Sequence, residues 1–232
     1  MIPLRDENPS LHFPIVNYTM IGLCALGFAG ELSAGPRLDE LFQTYALVPA
    51  RFLALVERGQ VFDVATWTPF VTSMFLHAGW MHFLGNMLFL WIFGDNVEDW
   101  LGPGRYLLFY LAGGALAALA HVSTNSTSLL PTVGASGAIA AVMGAYVVLH
   151  PRAQIQSLII LLFYVRIVPI HAWVYLGFWF ALQLVSGTQT LGESGEARGG
   201  VAWWAHAGGF AFGALCAASL GRRPLRRARR RV

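Results

Sequence analysis

Charged residues are scarce, at 12% of the 232 positions, about half the share of an ordinary soluble domain. Lysine is absent altogether, so every basic side chain other than histidine is an arginine. With 56% of the residues hydrophobic, this scarcity excludes an ordinary water-soluble globule and makes lipid the expected solvent. Acidic residues are missing between positions 100 and 192 and again after 196, which bars a carboxylate from any chemistry carried by those stretches. Only Cys24 and Cys216 carry thiols. Both fall in apolar segments, where the expected role is a small apolar side chain rather than a disulfide. No internal repeat is apparent, and the one biased segment is the arginine-rich end. The expectation is one membrane domain over residues 1–221 and a tail over 222–232.

The stretches without Asp, Glu, Lys or Arg are 8–30, 64–94, 106–151, 167–192 and 199–221. Each is long enough for a spanning helix, which needs ~20 largely apolar residues. The stretch 106–151 holds two, parted at Pro131 within the polar run His121 to Thr132. Six spans result, predicted at 13–30, 79–98, 105–122, 133–150, 169–187 and 200–220. Ala153 to Val165, at 13 residues, is too short to span and is expected to lie in the interface or to lengthen the fifth helix. Residues 31–78 mix Pro36, Pro49 and Pro69 with apolar runs such as Phe52 to Val56, the pattern of a structured external loop resting on the membrane surface. Met1 to His12 is mixed in charge and no clear small-residue cleavage site follows, so the first span is expected to be retained.

The arginines orient the chain. Seven of them fall in the last eleven residues, Arg222 to Val232, and a polybasic tail of this kind belongs on the cytoplasmic side. Six spans then put both termini in the cytoplasm, with eleven arginines inside and four, Arg37, Arg51, Arg58 and Arg198, outside; the lack of lysine and the compact six-helix layout suggest a bacterial inner membrane. The sequence pI near 9.1 is a topological signal rather than a nucleic-acid one, because without the tail's seven arginines the formal charge of +3 falls to −4.

With this topology the second, fourth and sixth helices all begin outside and run inward. At 1.5 Å per residue, Asn86 lies roughly 10 Å, Ser136 roughly 6 Å and His206 roughly 9 Å below the starts of their helices. Any one of these residues alone is ordinary in a membrane helix, where Ser bonds back to its backbone and His or Asn joins helices. Their shared depth, beside small-residue ridges, points to a site. Ala205, Gly209, Gly213 and Ala217 form one ridge, and Ser136, Ala140 and Gly144 another, so the two helices can approach closely and bring His206 against Ser136. A serine hydroxyl becomes a useful nucleophile when a neighbouring base takes its proton, and neutral imidazole suits that task. Since no carboxylate is available nearby, a Ser and His dyad is expected instead of a triad. His82 and Asn86, one turn apart, are the candidate side-chain donors to an oxyanion, together with the backbone N–H of Ser136 near a helix start.

Gly134-Ala135-Ser136-Gly137 resembles the Gly-x-Ser-Gly motif of the rhomboid intramembrane serine proteases, of the prokaryotic six-helix type. His77, His82 and Asn86 resemble that family's His-x4-His-x3-Asn pattern, and Ala205, His206, Gly209 and Gly213 its Ala-His-x2-Gly-x3-Gly pattern. The resemblance implies an all-α membrane fold of six transmembrane helices with a long membrane-associated first external loop. It also implies Ser136 as nucleophile, His206 as general base and acid, His82 and Asn86 at the oxyanion, and no metal or cofactor. The partners implied are transmembrane protein substrates and the lipid bilayer; no nucleic acid is expected, and the sequence does not indicate an oligomeric state. Lateral substrate access past the fifth helix would make Trp173, Phe178, Trp179 and Phe180 a gate. Two departures stand out: Ala140 occupies a position where some members carry a tyrosine under the histidine, and Trp67-Thr68 replaces a frequent Trp-Arg pair. The rival readings are a non-catalytic rhomboid-like protein that binds membrane helices, and a metal, haem or ion-conducting protein using His77, His82 and His206.

Overall fold

Pro14 ends the polar N-terminal segment and leads into α1 (Ile15–Ala34), which stops at Gly35 with φ 52° and Pro36 directly after it. Only glycine adopts that φ cheaply, and proline cannot continue the ladder. The computed structural model describes residues 1–161, 163–190 and 202–221. The arginine-rich tail, Arg198 and the predicted start of the sixth helix at 200 lie outside the described residues.

Residues 38–72 form three short helices, α2 (Leu38–Tyr45), α3 (Pro49–Glu57) and α4 (Val64–Thr72). Each start has a local cause. Asp39 and Glu40 occupy the first turn of α2, where negative charge meets the positive end of the helix dipole. Proline opens α3, its missing N–H being one the first turn leaves unpaired anyway. Asp63 caps α4 by accepting from the Ala65 N–H at 2.9 Å. Phe52 and Phe70 meet edge to face at 4.8 Å and bury against Leu47 and Val122, so this segment has a small apolar core of its own. Trp67 packs on both phenylalanines and donates its indole N–H to the Val61 carbonyl at 2.9 Å.

The long helices follow: α5 (Trp80–Leu101), α6 (Pro103–Thr124), α7 (Ser136–Leu149), α8 (Ala172–Thr190) and α9 (Trp203–Leu220). With α1 they overlie the six predicted segments, each boundary within four residues of its expected place. Among the described residues, two helical stretches, Ile15–Tyr45 and Pro103–Thr124, are by length and composition long and apolar enough to cross a membrane; Ser136–Leu149 is apolar but shorter.

Helix α7 is the centre of the bundle, buried continuously from Gly137 to Tyr146. Small residues permit this. A Cβ placed on Gly213 would land on the Ala141 carbonyl, one on Gly209 on the Gly137 carbonyl, and one on Gly144 on the Phe210 carbonyl. The two ridges read from the sequence therefore interlock, bringing the α7 and α9 backbones together where longer side chains would hold them apart.

An all-α fold was expected, and a small sheet corrects it. β1 (Ile2–Asp6), β2 (Gln154–Leu161) and β3 (Tyr164–His171) form an antiparallel sheet in the order β1-β2-β3. Residues 153–165 therefore do not lengthen the fifth helix. The cause is visible in the residues: Ile155, Ile159, Ile160, Val165, Ile167, Val168 and Ile170 are β-branched, and Pro169 stands where a continued helix would need an N–H. Pro169 is tolerated because β3 is an edge strand. The sheet sits at the end of α7 opposite Ser136, tied to the bundle by the Tyr146 hydroxyl, which donates to Asp6 at 2.5 Å and accepts from Asn8 at 2.9 Å. Burial pushes the Asp6 carboxyl up from the usual carboxylate range, against the Tyr146 hydrogen bond that opposes the rise.

At that same end α5 holds the start of α1. The Glu98 carboxylate accepts from the Val16 and Asn17 N–H groups at 3.1 and 2.7 Å, capping donors that a helix start otherwise leaves bare. Asn17, fully buried, donates to the Leu90 carbonyl at 3.0 Å and accepts from the Tyr106 hydroxyl at 2.8 Å, joining α1, α5 and α6.

Candidate active site

Ser136 is the first residue of α7, and the segment before it is shaped by Gly134 at φ 124°. A Cβ there would come within 2.7 Å of the His82 imidazole, so glycine is needed both for the backbone turn and for the space. The Gly134 N–H is held by the Ser73 carbonyl at 2.9 Å. Gly137 faces α6, where a Cβ would meet that of Ala117 at 2.7 Å. The Gly-x-Ser-Gly motif thus seats Ser136 against two neighbouring elements, and its half-buried side chain stays reachable.

His206 stands in the first turn of α9, 9% exposed. Its Nε2 lies 2.8 Å from the Ser136 Oγ, a full hydrogen bond. Its Nδ1 lies 2.7 Å from the Oε1 of Gln183 on α8. Gln183 is itself buried, and its amide nitrogen donates to the Trp179 carbonyl at 3.2 Å. The rings of Trp179 and Trp203 flank His206 at 5.7 and 6.3 Å. Sequence reasoning paired Ser136 with His206 but missed Gln183. The available signal was a lone amide in an otherwise apolar segment, Trp179 to Val185.

Ala140 also has an explanation. It is fully buried, and a Cβ on Gly209 would approach its Cβ to 3.3 Å. The small side chain lets α9 pack this closely, and the group that contacts the imidazole Nδ1 is Gln183.

The second-helix residues divide. His82 borders the serine loop through Gly134, and its Nδ1 accepts from the Ala78 N–H at 3.3 Å. Asn86 is buried, its amide donating to the His82 carbonyl at 3.0 Å. Among the described residues neither side chain hydrogen-bonds Ser136. His77 lies behind His82, ring centroids 5.4 Å apart, and its backbone N–H donates to the buried Glu31 carboxylate at 2.8 Å. Among the described residues the His77 ring hydrogen-bonds neither Ser136 nor His206. A shared metal site for His77, His82 and His206 is disfavoured by this geometry, since both ring nitrogens of His206 are engaged. Gly209 and Gly213 act through helix packing. Of the four suggested gate aromatics, Trp173 and Phe178 are exposed, whereas Trp179 faces His206 and Phe180 stacks on Phe210 at 4.5 Å.

A family model described as the Rhomboid domain matches residues 64–223, a span that contains the serine, the histidine and every helix packed around them. The chain belongs to the rhomboid family. Its fold is the membrane fold of that family, mostly helical with the small sheet added. Similar proteins include the rhomboid protease GluP of Bacillus subtilis, 31% identical over 182 residues, 77% of this chain and 32% of that protein. The putative rhomboid protease YdcA of the same organism is 35% identical over 80 residues, 34% of this chain and 40% of that one. Presenilin-associated rhomboid-like protein A, mitochondrial, of Danio rerio is 35% identical over 89 residues, 38% of this chain and 23% of its own length. The aligned part thus spans less than half the length of each of these relatives.

Proposed function

We propose that this rhomboid is an intramembrane serine endopeptidase that hydrolyses peptide bonds in or near transmembrane segments through a Ser136 and His206 dyad. The observation that carries this reading is the 2.8 Å contact between Ser136 Oγ and His206 Nε2 in a largely buried setting. A neutral imidazole nitrogen at that distance takes the hydroxyl proton as Oγ bonds to the substrate carbonyl carbon. The resulting oxyanion would lie near the start of α7, where the Ser136 N–H is one of the donors a first helical turn leaves unpaired and the dipole favours negative charge. On collapse, the C–N bond breaks and the imidazolium returns the proton to the leaving amine. Water then attacks the acyl ester, its proton passing to His206, and the acid product leaves as Ser136 Oγ recovers a proton.

His82 and Asn86 are assigned to the oxyanion as side-chain donors. The assignment requires Asn86 to exchange its bond to the His82 carbonyl for one to substrate. The fold is read as six spans with both termini in the cytoplasm, residues 31–78 as an external loop on the membrane surface, and 222–232 as a cytoplasmic tail. Substrates are membrane proteins whose helices are weakened near the outer surface, since an intact helix hides its peptide bonds. Trp173 and Phe178, exposed on α8, are the proposed gate, while Trp179 and Phe180 belong to the packing around the site.

The test is cleavage of a transmembrane reporter by purified protein in liposomes. Wild type is expected to cut, and Ser136→Ala and His206→Ala to abolish cutting. Cleavage that survives Ser136→Ala overturns the reading, and a folded wild type that binds helices without cutting favours the non-catalytic alternative.

A further inference from the structure

The imidazole of His206 must present an unprotonated Nε2 to Ser136 before reaction, and among the described residues no carboxylate hydrogen-bonds the ring to enforce that. The neighbouring hydrogen bonds do it instead. The Gln183 amide nitrogen donates to the Trp179 carbonyl at 3.2 Å, while its Oε1 lies 2.7 Å from His206 Nδ1. The reverse amide orientation would set two acceptor oxygens against each other at Trp179, so the backbone carbonyl decides which way Gln183 points. With Oε1 facing the ring, Nδ1 must carry the proton, and Nε2 is then the lone-pair nitrogen facing Ser136 Oγ at 2.8 Å. We infer that Gln183 is a neutral positioning residue that fixes the His206 tautomer and ring plane, occupying the place a carboxylate takes in a triad.

This inference rests on the proposed Ser136 and His206 chemistry and adds a third member to it. An amide suits the site because Gln183 and His206 are both buried, at 6% and 9% exposure, and a carboxylate there would need compensation for lost hydration. A neutral acceptor orients the ring and accepts its N–H without introducing a charge. The chain of donors runs from Ser136 to His206, from His206 to Gln183, and from Gln183 to the Trp179 carbonyl, so the orientation is anchored in the backbone of α8.

Gln183→Met keeps the length of the side chain and removes the acceptor. It is expected to lower kcat roughly 10²-fold, the usual size of a loss of catalytic orientation, with KM for the reporter within about twofold because Gln183 does not touch substrate in this reading. Gln183→Glu, which in its protonated form keeps an acceptor for Nδ1–H and a donor for the Trp179 carbonyl, is expected to recover at least a tenth of the wild-type kcat. A second readout is independent of turnover. Nitrogen-15 NMR of histidine-labelled protein, assigned by difference against His206→Ala, is expected to show the Nδ1-protonated neutral tautomer in wild type and its loss in Gln183→Met. A wild-type His206 protonated on Nε2 overturns the inference even if Gln183→Met fails to fold. So does a Gln183→Met protein with wild-type kcat, or one whose kcat falls while the tautomer is unchanged, since that loss comes from packing. Failure of the parent reading looks different: there Ser136→Ala still cuts, whereas failure of this inference alone leaves Ser136→Ala dead and Gln183→Met active.

Discussion

At the residue scale the site depends on side chains that hold one another. Ser136 is held by Gly134 and by the start of α7, and His206 by Gln183, so each of the two proposed reacting groups meets the other in a fixed direction. Asn86 is different, because its amide is occupied by the His82 carbonyl one turn back. If it serves the oxyanion, Asn86→Ala is expected to lower kcat roughly 10²-fold to 10³-fold, the loss typical of a single oxyanion donor, with binding of reporter little changed. Turnover within twofold of wild type, measured in the liposome assay, would assign Asn86 to packing of α5. The serine and histidine were legible from residue type and motif. Gln183 was not, because a lone amide in an apolar helix has many equally ordinary uses until its partner is known.

At the element scale the decisive feature is how near α9 comes to α7. Gly213 meets the Ala141 carbonyl and Gly209 the Gly137 carbonyl, and this closeness sets the distance across which His206 reaches Ser136. Gly213→Ala puts a methyl on a backbone oxygen that cannot rotate away. Overpacking costs about 1–3 kcal/mol, and the upper part of that range is expected here because backbone rather than side chain must shift. Reversible unfolding in mixed micelles measures the loss, and activity is expected to fall along with it as α9 is pushed outward. A stability change under about 0.5 kcal/mol would mean that α9 slides freely. The ridges were readable from four-residue spacing alone. The sheet was not: apolar length places 153–165 in the interface or on the fifth helix, whereas residues 154–161 pair with 164–171 and with the distant strand 2–6.

At the scale of the whole molecule, the candidate site and the anchoring contacts occupy opposite ends of one bundle. The Ser136 site lies at the starts of α5, α7 and α9, while the sheet, the Glu98 cap on α1 and the Trp100 indole, which donates to the Gly221 carbonyl at 3.1 Å, gather at the other. The topology proposed from the arginines places the sheet end in the cytoplasm. Single cysteines placed at exposed Phe62 and at Phe163, with Cys24 and Cys216 replaced by alanine, test this in intact cells. The expected outcome is labelling by a membrane-impermeant maleimide at position 62 only, and the reverse pattern would invert the topology.

What the sequence by itself determined is what local chemistry determines: apolar lengths, proline and glycine at the breaks, the serine and histidine motifs, and the four-residue ridges. These depend on neighbours a few positions away, so they survive being read along a line. The tertiary structure decided the rest. It joined β1 to β2 across some 150 residues of chain, turned Asn86 back on its own helix, and brought Gln183 from α8 against His206 on α9. Hydrogen bonds of that kind are directional and non-local, and residue spacing carries no record of which partner stands across the gap.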